Sequence, residues 1–403
     1  MEGAVSPDHA RTQTRKQGPA PWVVGLSVPC LMAMLTRRTM RYGRAWLTGP
    51  ADYVEEEMVL DRAGTPVPAT VVRPRTPSGP FPGWVVMHGI TRPGRAHEQL
   101  VRFTRAMASS GLMTIVPEVP EWRELDLAPS LSTPTIKAAI AGLRTTGSAR
   151  DERVGVIGFS FGAPHAITAA GNSDLRDEIA GTAGFGGYCS LESTFRFMMT
   201  GVHEWGGREH FLTPDRYGRW IVAANYLTSV PGHEDATDVA DALRQLAINA
   251  GDTGAPSWHP CYDPVIRKLR ERVEEPRRHL FDLFAPMANA PAHSGETPPG
   301  SDEAPALAED LSAAARRVDS SIDPFEALAS VDRPVHLLHG RNDHLIPFSE
   351  AYRLRAALPS AAPSRLTVTR LFGHSGQDPF PFARAIREVP RFVSALDDVL
   401  AIS

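Results

Sequence analysis

Cysteine is scarce in this 403-residue chain: Cys30, Cys189 and Cys261 stand far apart. That count and spacing exclude a disulfide framework and a zinc-ligand pattern. Three reduced thiols fit a cytoplasmic protein. Charge of one sign is lacking as well. The formal net charge is −4, so no basic surplus argues for nucleic acid as a partner. No cluster of His, Cys, Asp or Glu has metal-ligand spacing, so neither a metal nor a cofactor is expected. No internal repeat is visible. Long apolar runs are missing too. The run from Trp22 to Leu35 is broken by Gly25 and Pro29, and it falls short of the roughly 20 residues a membrane-crossing helix needs. No A-x-A cleavage site follows it; Arg37, Arg38, Arg41 and Arg44 do. Residues 22–48 are therefore read as a helix packing on the body of the protein. The alternatives are peripheral membrane contact through the basic flank and an unusual export signal. Oligomeric state is not legible.

What is present is a hydrophobic content of 42%, enough for a large core. β-rich runs at 53–60 and 67–73 flank Asp61-Arg62-Ala63-Gly64, which reads as a hairpin. Residues 74–83 form a Pro/Gly loop. Short apolar strands then alternate with helices: a strand at 84–87, a helix at 96–109, a strand at 112–116, a helix at 133–145, a strand at 153–158, a helix from 161 and a strand at 179–186. This rhythm predicts a mostly parallel sheet covered on both faces. It stops near Gly187 and resumes at Pro334, with helices at 348–358 and 380–399 and a strand at 365–372. Residues 190–330 read as mostly helical, with 286–305 as a loop, and form an inserted cap. The domain division is 1–48 as an N-terminal extension, 49–189 with 331–403 as the core, and 190–330 as the insertion.

The segment Gly158-Phe-Ser160-Phe-Gly162 is a G-x-S-x-G pattern between an apolar strand and a helix. Strand, sharp turn and helix are the context of a nucleophile elbow. A serine hydroxyl needs a base, and the base needs an orienting carboxylate. Chain order on such a sheet runs serine, acid, histidine. Asp343, past the strand ending at Gly340, is the candidate acid, and His374, past the strand ending near Leu371, is the candidate base. Both follow strand ends, where ligands bind in open α/β sheets. Two backbone N–H groups are needed for a developing oxyanion. Phe161 follows the nucleophile, and Ile90 follows the strand ending at His88-Gly89. His88 is read as bracing that loop.

These segments together resemble the α/β-hydrolase superfamily, in particular the dienelactone-hydrolase-like and prolyl-oligopeptidase-like serine hydrolases. The resemblance rests on His88-Gly89, the Gly158–Gly162 elbow, the Leu338-x-G-x-x-Asp343-x-x-Ile-Pro347 segment and Gly373-His374-Ser375. It covers roughly residues 53–190 and 330–400. It implies an α/β-hydrolase fold with Ser160 as nucleophile, Asp343 as triad acid and His374 as base. Dienelactone hydrolases proper carry cysteine where this chain has Ser160, so the resemblance extends to acyl chemistry and not to the dienelactone substrate.

The functional expectation is a serine hydrolase cleaving a carboxylic ester, with a small-molecule ester or related acyl compound as partner. Peptidase, amidase, thioesterase or acyltransferase activity uses the same triad, and a non-catalytic ligand-binding protein on the same fold is the remote alternative. Arg92 and Arg95 could meet a substrate carboxylate, though a solvated loop is the simpler reading. Glu118, Glu121 and Trp122 could line the pocket, and His344 could touch substrate. Met198, Met199, Trp205 and Trp220 are candidate lining residues from the insertion. Asp323 and Asp332 are read as turn or cap residues, and the charged stretch 267–278 as a solvated helix face.

Overall fold

The computed structural model describes residues 36–76, 79–287, 303–371 and 382–402. They fall within the unit Leu35–Ser403. The residues before Thr36 and the stretch 372–381, including Gly373, His374 and Ser375, lie outside the described residues.

Eight strands form one sheet in the order β1-β2-β4-β3-β5-β6-β9-β10. They are β1 (Tyr53–Arg62), β2 (Thr65–Pro74), β3 (Gly83–Met87), β4 (Met113–Pro117), β5 (Val154–Phe159), β6 (Ile179–Phe185), β9 (Val335–Gly340) and β10 (Ser364–Thr369). β1 and β2 pair antiparallel, as do β2 and β4. From β4 onward every pairing is parallel. The β1–β2 hairpin turns on Ala63 (φ 49) and Gly64 (φ 88). Two positive φ values in succession match the twist of a tight hairpin, and Asp61 Oδ1 accepts the Gly64 N–H at 2.6 Å.

The central strands are apolar on both faces because both faces are covered. All five residues of β3 are buried. Alternation sends Val85 and Met87 toward the helices Ser132–Thr145 and Gly162–Ala169. Trp84 goes the other way, into a cluster with Tyr42, Ala45, Phe103, Leu396 and Val399. Those residues belong to the helices Arg37–Thr48, Glu98–Ser109 and Phe382–Leu400. Helix Arg37–Thr48 thus packs on the sheet's flank through Tyr42 and Ala45, while Arg37, Arg41 and Arg44 face outward.

Between β6 and β9 the chain leaves the sheet. The helices Leu191–Thr200, Arg216–Tyr226, Thr237–Thr253, Asp263–Arg272, Arg278–Phe284 and Glu303–Val318 make up most of this excursion. The described part of the excursion is mostly helical, as expected, and two details are added. A hairpin, β7 (Val202–Trp205) and β8 (Arg208–Phe211), interrupts the helices. Its turn is Gly206-Gly207, with φ of 64 and 69, a dipeptide that marks hairpins between β-prone runs. Of the expected loop 286–305, residues 288–302 lie outside the described residues, and Glu303 already begins a helix with Leu307, Ala308 and Leu311 on its buried face. The charged stretch is a short helix to Arg272 followed by ion pairs of Arg277 with Asp235 and Asp238.

Candidate active site

Four chemistry-bearing segments follow the carboxyl ends of parallel strands: His88 after β3, Glu118 after β4, Ser160 after β5 and Asp343 past β9. Ser160 has φ 53, a backbone region that non-glycine residues rarely occupy. Two hydrogen bonds hold it there. Its N–H donates to Phe185 O at 2.8 Å, and its carbonyl accepts from Ala163 N at 3.0 Å. The turn is tight enough that a Cβ on Gly158 would stand 2.1 Å from Gly162 O. A Cβ on Gly89 would stand 2.9 Å from Ser160 Cβ, so the loop after β3 comes as close to the serine as a backbone can.

A doubly covered sheet in this strand order, whose fifth strand turns through a strained serine into a helix, decides the architecture. The chain has the α/β-hydrolase fold.

In this fold the rim above Ser160 is where a reacting group would sit. A narrow cavity of about 70 Å³ opens there, its wall including Ile90, Ser160, Phe161, Met198, Gly218 and Leu345. The backbone N–H groups of Ile90 and Phe161 make no hydrogen bond among the described residues. Buried amide donors rarely stay unbonded. The cavity is otherwise apolar. The Tyr188 hydroxyl at its edge donates to Ile322 O at 2.7 Å, and that of Thr194 donates to Ser190 O at 2.7 Å.

Asp343 is 1% exposed. Its Oδ1 accepts two backbone N–H groups, from Leu345 and Ile346, at 2.9 Å each. Its Oδ2 lies 3.4 Å from Nε2 of the buried His339. That nitrogen donates to Ile346 O at 2.9 Å, so His339 ties the turn that carries the carboxylate. His374, the candidate base, lies outside the described residues. Asp332 pairs with Arg176 at the surface, and Asp323 accepts the Phe325 N–H as a turn residue does.

His88 is 1% exposed. Its Nδ1 lies 2.7 Å from Gly89 O. A carbonyl only accepts, so Nδ1 carries the proton. Beneath Ser160, His165 packs against Phe161 and Trp122. Burial pulls its pKa down to about 4.

Several candidates sit elsewhere than pocket-lining roles require. Arg92 bonds Glu124 and Asp252, and Arg95 bonds Glu57, so internal carboxylates occupy both guanidinium groups. Glu121 makes a two-pronged contact with Arg62. Trp122 is fully buried against Phe161. His344 donates Nδ1–H to Thr213 O at 2.7 Å. Of the four candidates from the insertion, Met198 lines the cavity. Met199 is core, Trp220 donates to Phe284 O, and Trp205 packs on Phe348 and Tyr352. Among the described residues no group of three or more His, Cys, Asp or Glu could hold a metal. No described helix is long and apolar enough to cross a membrane.

No family model matches the chain. A Pseudomonas syringae protein provisionally named a carbamate hydrolase is 31% identical over 150 residues, 36% of this chain and 56% of that protein. A Mycoplasma pneumoniae protein provisionally named a proline iminopeptidase is 52% identical over 48 residues, 12% of this chain and 15% of that one. Among solved structures, an acylaminoacyl peptidase from Pyrococcus horikoshii aligns at 12% identity over 86% of this chain and 41% of its own, with TM-score 0.46. The esterase domain of a Rhodothermus marinus protein aligns at 11% identity over 86% and 100%, with TM-score 0.43. The chain thus spans little more than half of the longer-matched relative and less than half of the peptidase.

Proposed function

We propose that the protein is a serine hydrolase that cleaves a carboxylic ester carrying a small, uncharged acyl group. One observation carries the reading. Ser160 is held at φ 53 on a strand-to-helix turn, and it shares a cavity with Ile90 and Phe161, whose N–H groups are unbonded among the described residues. A strained, presented hydroxyl beside two unclaimed donors has little structural use and a direct catalytic one.

In the proposed reaction Ser160 Oγ attacks the acyl carbon and passes its proton to His374. The C–O bond of the ester breaks, and the alcohol leaves with that proton. Water, deprotonated by His374, then cleaves the acyl-serine bond and releases the acid. Asp343 orients the imidazole and stabilises its charged form. The N–H groups of Ile90 and Phe161 take the negative charge on the acyl oxygen in both tetrahedral intermediates. Residues 190–330 act as the cap that shapes the acyl pocket over the core of 49–189 and 331–403. A cavity of about 70 Å³ with apolar walls suits a short aliphatic acyl group. The relatives' names span peptidase, carbamate hydrolase and esterase, so the leaving group is the open variable.

A fluorophosphonate that reacts with activated serines tests the reading directly. Wild type should be labelled at Ser160, and Ser160→Ala should not. Absence of labelling on folded wild type, or equal labelling of the variant, overturns it. A panel of p-nitrophenyl esters with matched amides and thioesters then fixes the leaving group and acyl length.

A further inference from the structure

We propose that an arginine-lined cavity at the amino ends of β3 and β4 binds a phosphate ester, the phosphate on the guanidinium groups and the organic part on the apolar wall. The inference stands apart from the serine-hydrolase reading. Ser160 lies past the carboxyl end of β5, at the opposite end of the same parallel strands.

The cavity of about 660 Å³ opens where the chain enters β3 and β4. Sites for small organic ligands commonly measure about 300–1,000 Å³. Phe81 and Pro82, just before β3, and Gly111, just before β4, belong to its wall. Arg37, Arg38, Arg41 and Arg150 stand around it against one acid, Asp52. In a chain of net charge −4 this is a local surplus of positive charge.

The surplus works against the fold. The first turn of helix Arg37–Thr48 holds Arg37 and Arg38 and no acid, although the amino end of a helix favours negative charge. Burial pulls the Arg38 pKa below its usual value, and the charges of Arg150 and Arg41 pull it the same way. Neighbouring acids give little relief. The Asp397 carboxylate is taken up by the Thr36 N–H and by the hydroxyls of Thr36 and Thr39. Glu152 lies 3.9 Å from Arg150 Nη1, but these side chains are 73% and 44% exposed, and a pair so exposed is worth little. Among the described residues Asp52, Arg37 and Arg41 make no ion pair. An anion in the cavity relieves the repulsion, and guanidinium forks hold phosphate oxygens two at a time.

The groups are also held in place. Arg38 Nη1 donates to Leu400 O at 2.7 Å. The Arg150 N–H donates to Phe81 O at 2.8 Å, which fixes its loop beside the entry to β3. A Cβ on Gly111 would meet only Arg41 Nη1 within 4 Å, at 3.9 Å, so the space beneath that guanidinium is open. The serine hydroxyls of the wall are committed inward: Ser109 Oγ donates to Arg105 O at 2.9 Å, and Ser110 Oγ to Met107 O at 2.6 Å. What remains to meet a ligand is cationic forks and the apolar surface of Pro74, Pro82 and Leu400. That combination suits a phosphate carried on an organic body.

The test uses the full chain and equilibrium titration with ADP, a soluble phosphate ester. ADP should bind wild type at least about 10-fold more tightly than inorganic phosphate, because the apolar wall adds contacts. Arg41→Gln and Arg150→Gln keep a polar side chain and remove the charge; each should weaken ADP about 10-fold, the scale of one charge-assisted contact. Arg44→Gln, on the same helix but outside the cavity wall, should stay within about 2-fold. Phosphatidylcholine vesicles with and without about 20 mol% phosphatidic acid distinguish the source of the phosphate. Binding of ADP without vesicle binding assigns a soluble ester. Vesicle binding that needs phosphatidic acid and is lost in Arg41→Gln assigns a lipid headgroup. Melting temperatures identify any variant that fails to fold, and the other position then supplies the reading. The proposal is overturned if neither ADP nor phosphatidic acid vesicles bind folded wild type. It is equally overturned if folded Arg41→Gln and Arg150→Gln bind as wild type does, or if Arg44→Gln loses as much as they do. Inorganic phosphate binding as tightly as ADP would remove the organic part of the assignment.

Discussion

The rim of the sheet and the insertion between β6 and β9 meet the cavity through different forces. At the rim each chemistry-bearing group is fixed by directional bonds: Ser160 N–H to Phe185 O, Asp343 Oδ1 to two backbone N–H groups, His88 to Gly89 O. Across the cavity the wall is made of packing contacts from Met198, Gly218, Ile221 and Val222, with Leu345 from the rim between them. Hydrogen bonds set angles to within a few tens of degrees, whereas apolar contacts set only volume. The difference implies a division of labour in which rim changes alter the rate for every substrate, and insertion changes alter which acyl group fits.

The sharpest way to break that division is Asp343→Asn. The amide can preserve the turn while losing the charge that stabilises an imidazolium. A fall in kcat of about 10⁴-fold is expected, equal across acetyl, butyryl and longer esters. A loss that depended strongly on acyl length would mean that the rim also selects substrate.

The complementary change is Gly218→Ala. A Cβ there would stand 2.8 Å from Leu345 Cδ1 and 3.0 Å from Met198 Cε. Both are ends of flexible side chains, so they can give way, and the space they move into is the cavity. In a site this small one methyl group is decisive. The ratio of kcat/KM for butyrate over acetate should fall about 10-fold, near one methylene's worth of discrimination. Stability should hold or rise, because alanine outranks glycine within a helix by about 1 kcal/mol. An unchanged ratio would place the acyl group elsewhere.

How far the sequence exposed this architecture follows the same line. The elbow was legible because its chemistry demands one backbone shape, and glycines at 158 and 162 are what that shape leaves room for. The position of Asp343 was legible, a buried polar turn past the apolar strand that ends at Gly340; its part in catalysis belongs to the proposal. The insertion was not. Its helices show apolar faces, but a face buried in the core and a face lining a cavity carry the same residues. Trp220 and Met198 look alike in sequence, yet Trp220 is core with its indole N–H on Phe284 O while Met198 meets the cavity. Glu118, read as a possible pocket residue, lies instead buried beside His88 and outside the cavity wall. His88 is thirty positions upstream, at the end of a strand that neighbours β4 in the sheet, and no local pattern reports such a contact.

Acid stability asks whether the two regions unfold together. Burial lowers the pKa of His165 beneath the elbow and of His203 in the inserted hairpin, each to about 4. Unfolded histidine titrates near 6.5. Between pH 6.5 and 4 the unfolded state therefore binds more protons, and stability falls as the pH drops through that window. His165→Asn and His203→Asn should each flatten the acid limb of a melting-temperature profile, with the larger effect for the more deeply buried His165. If only His203→Asn altered an early, separate transition, the insertion would be melting independently of the core.

The smallest effect is expected where the regions are tied by charge. Arg92, in the loop after the Gly89-Ile90 segment, bonds Glu124 of the core and Asp252 of the insertion. Those carboxylates are 64% and 57% exposed, so solvent screens both pairs. Arg92→Ala should cost under about 1 kcal/mol of stability and change kcat/KM for neutral esters by less than about 2-fold. The informative substrate is one with a free carboxylate, such as the mono-p-nitrophenyl ester of a dicarboxylic acid. With Arg92 already committed to two internal acids, its KM should not respond to the substitution. A KM that rose selectively for the acidic ester would show that Arg92 leaves Asp252 to meet substrate, and the tie between rim and insertion would then be part of substrate selection.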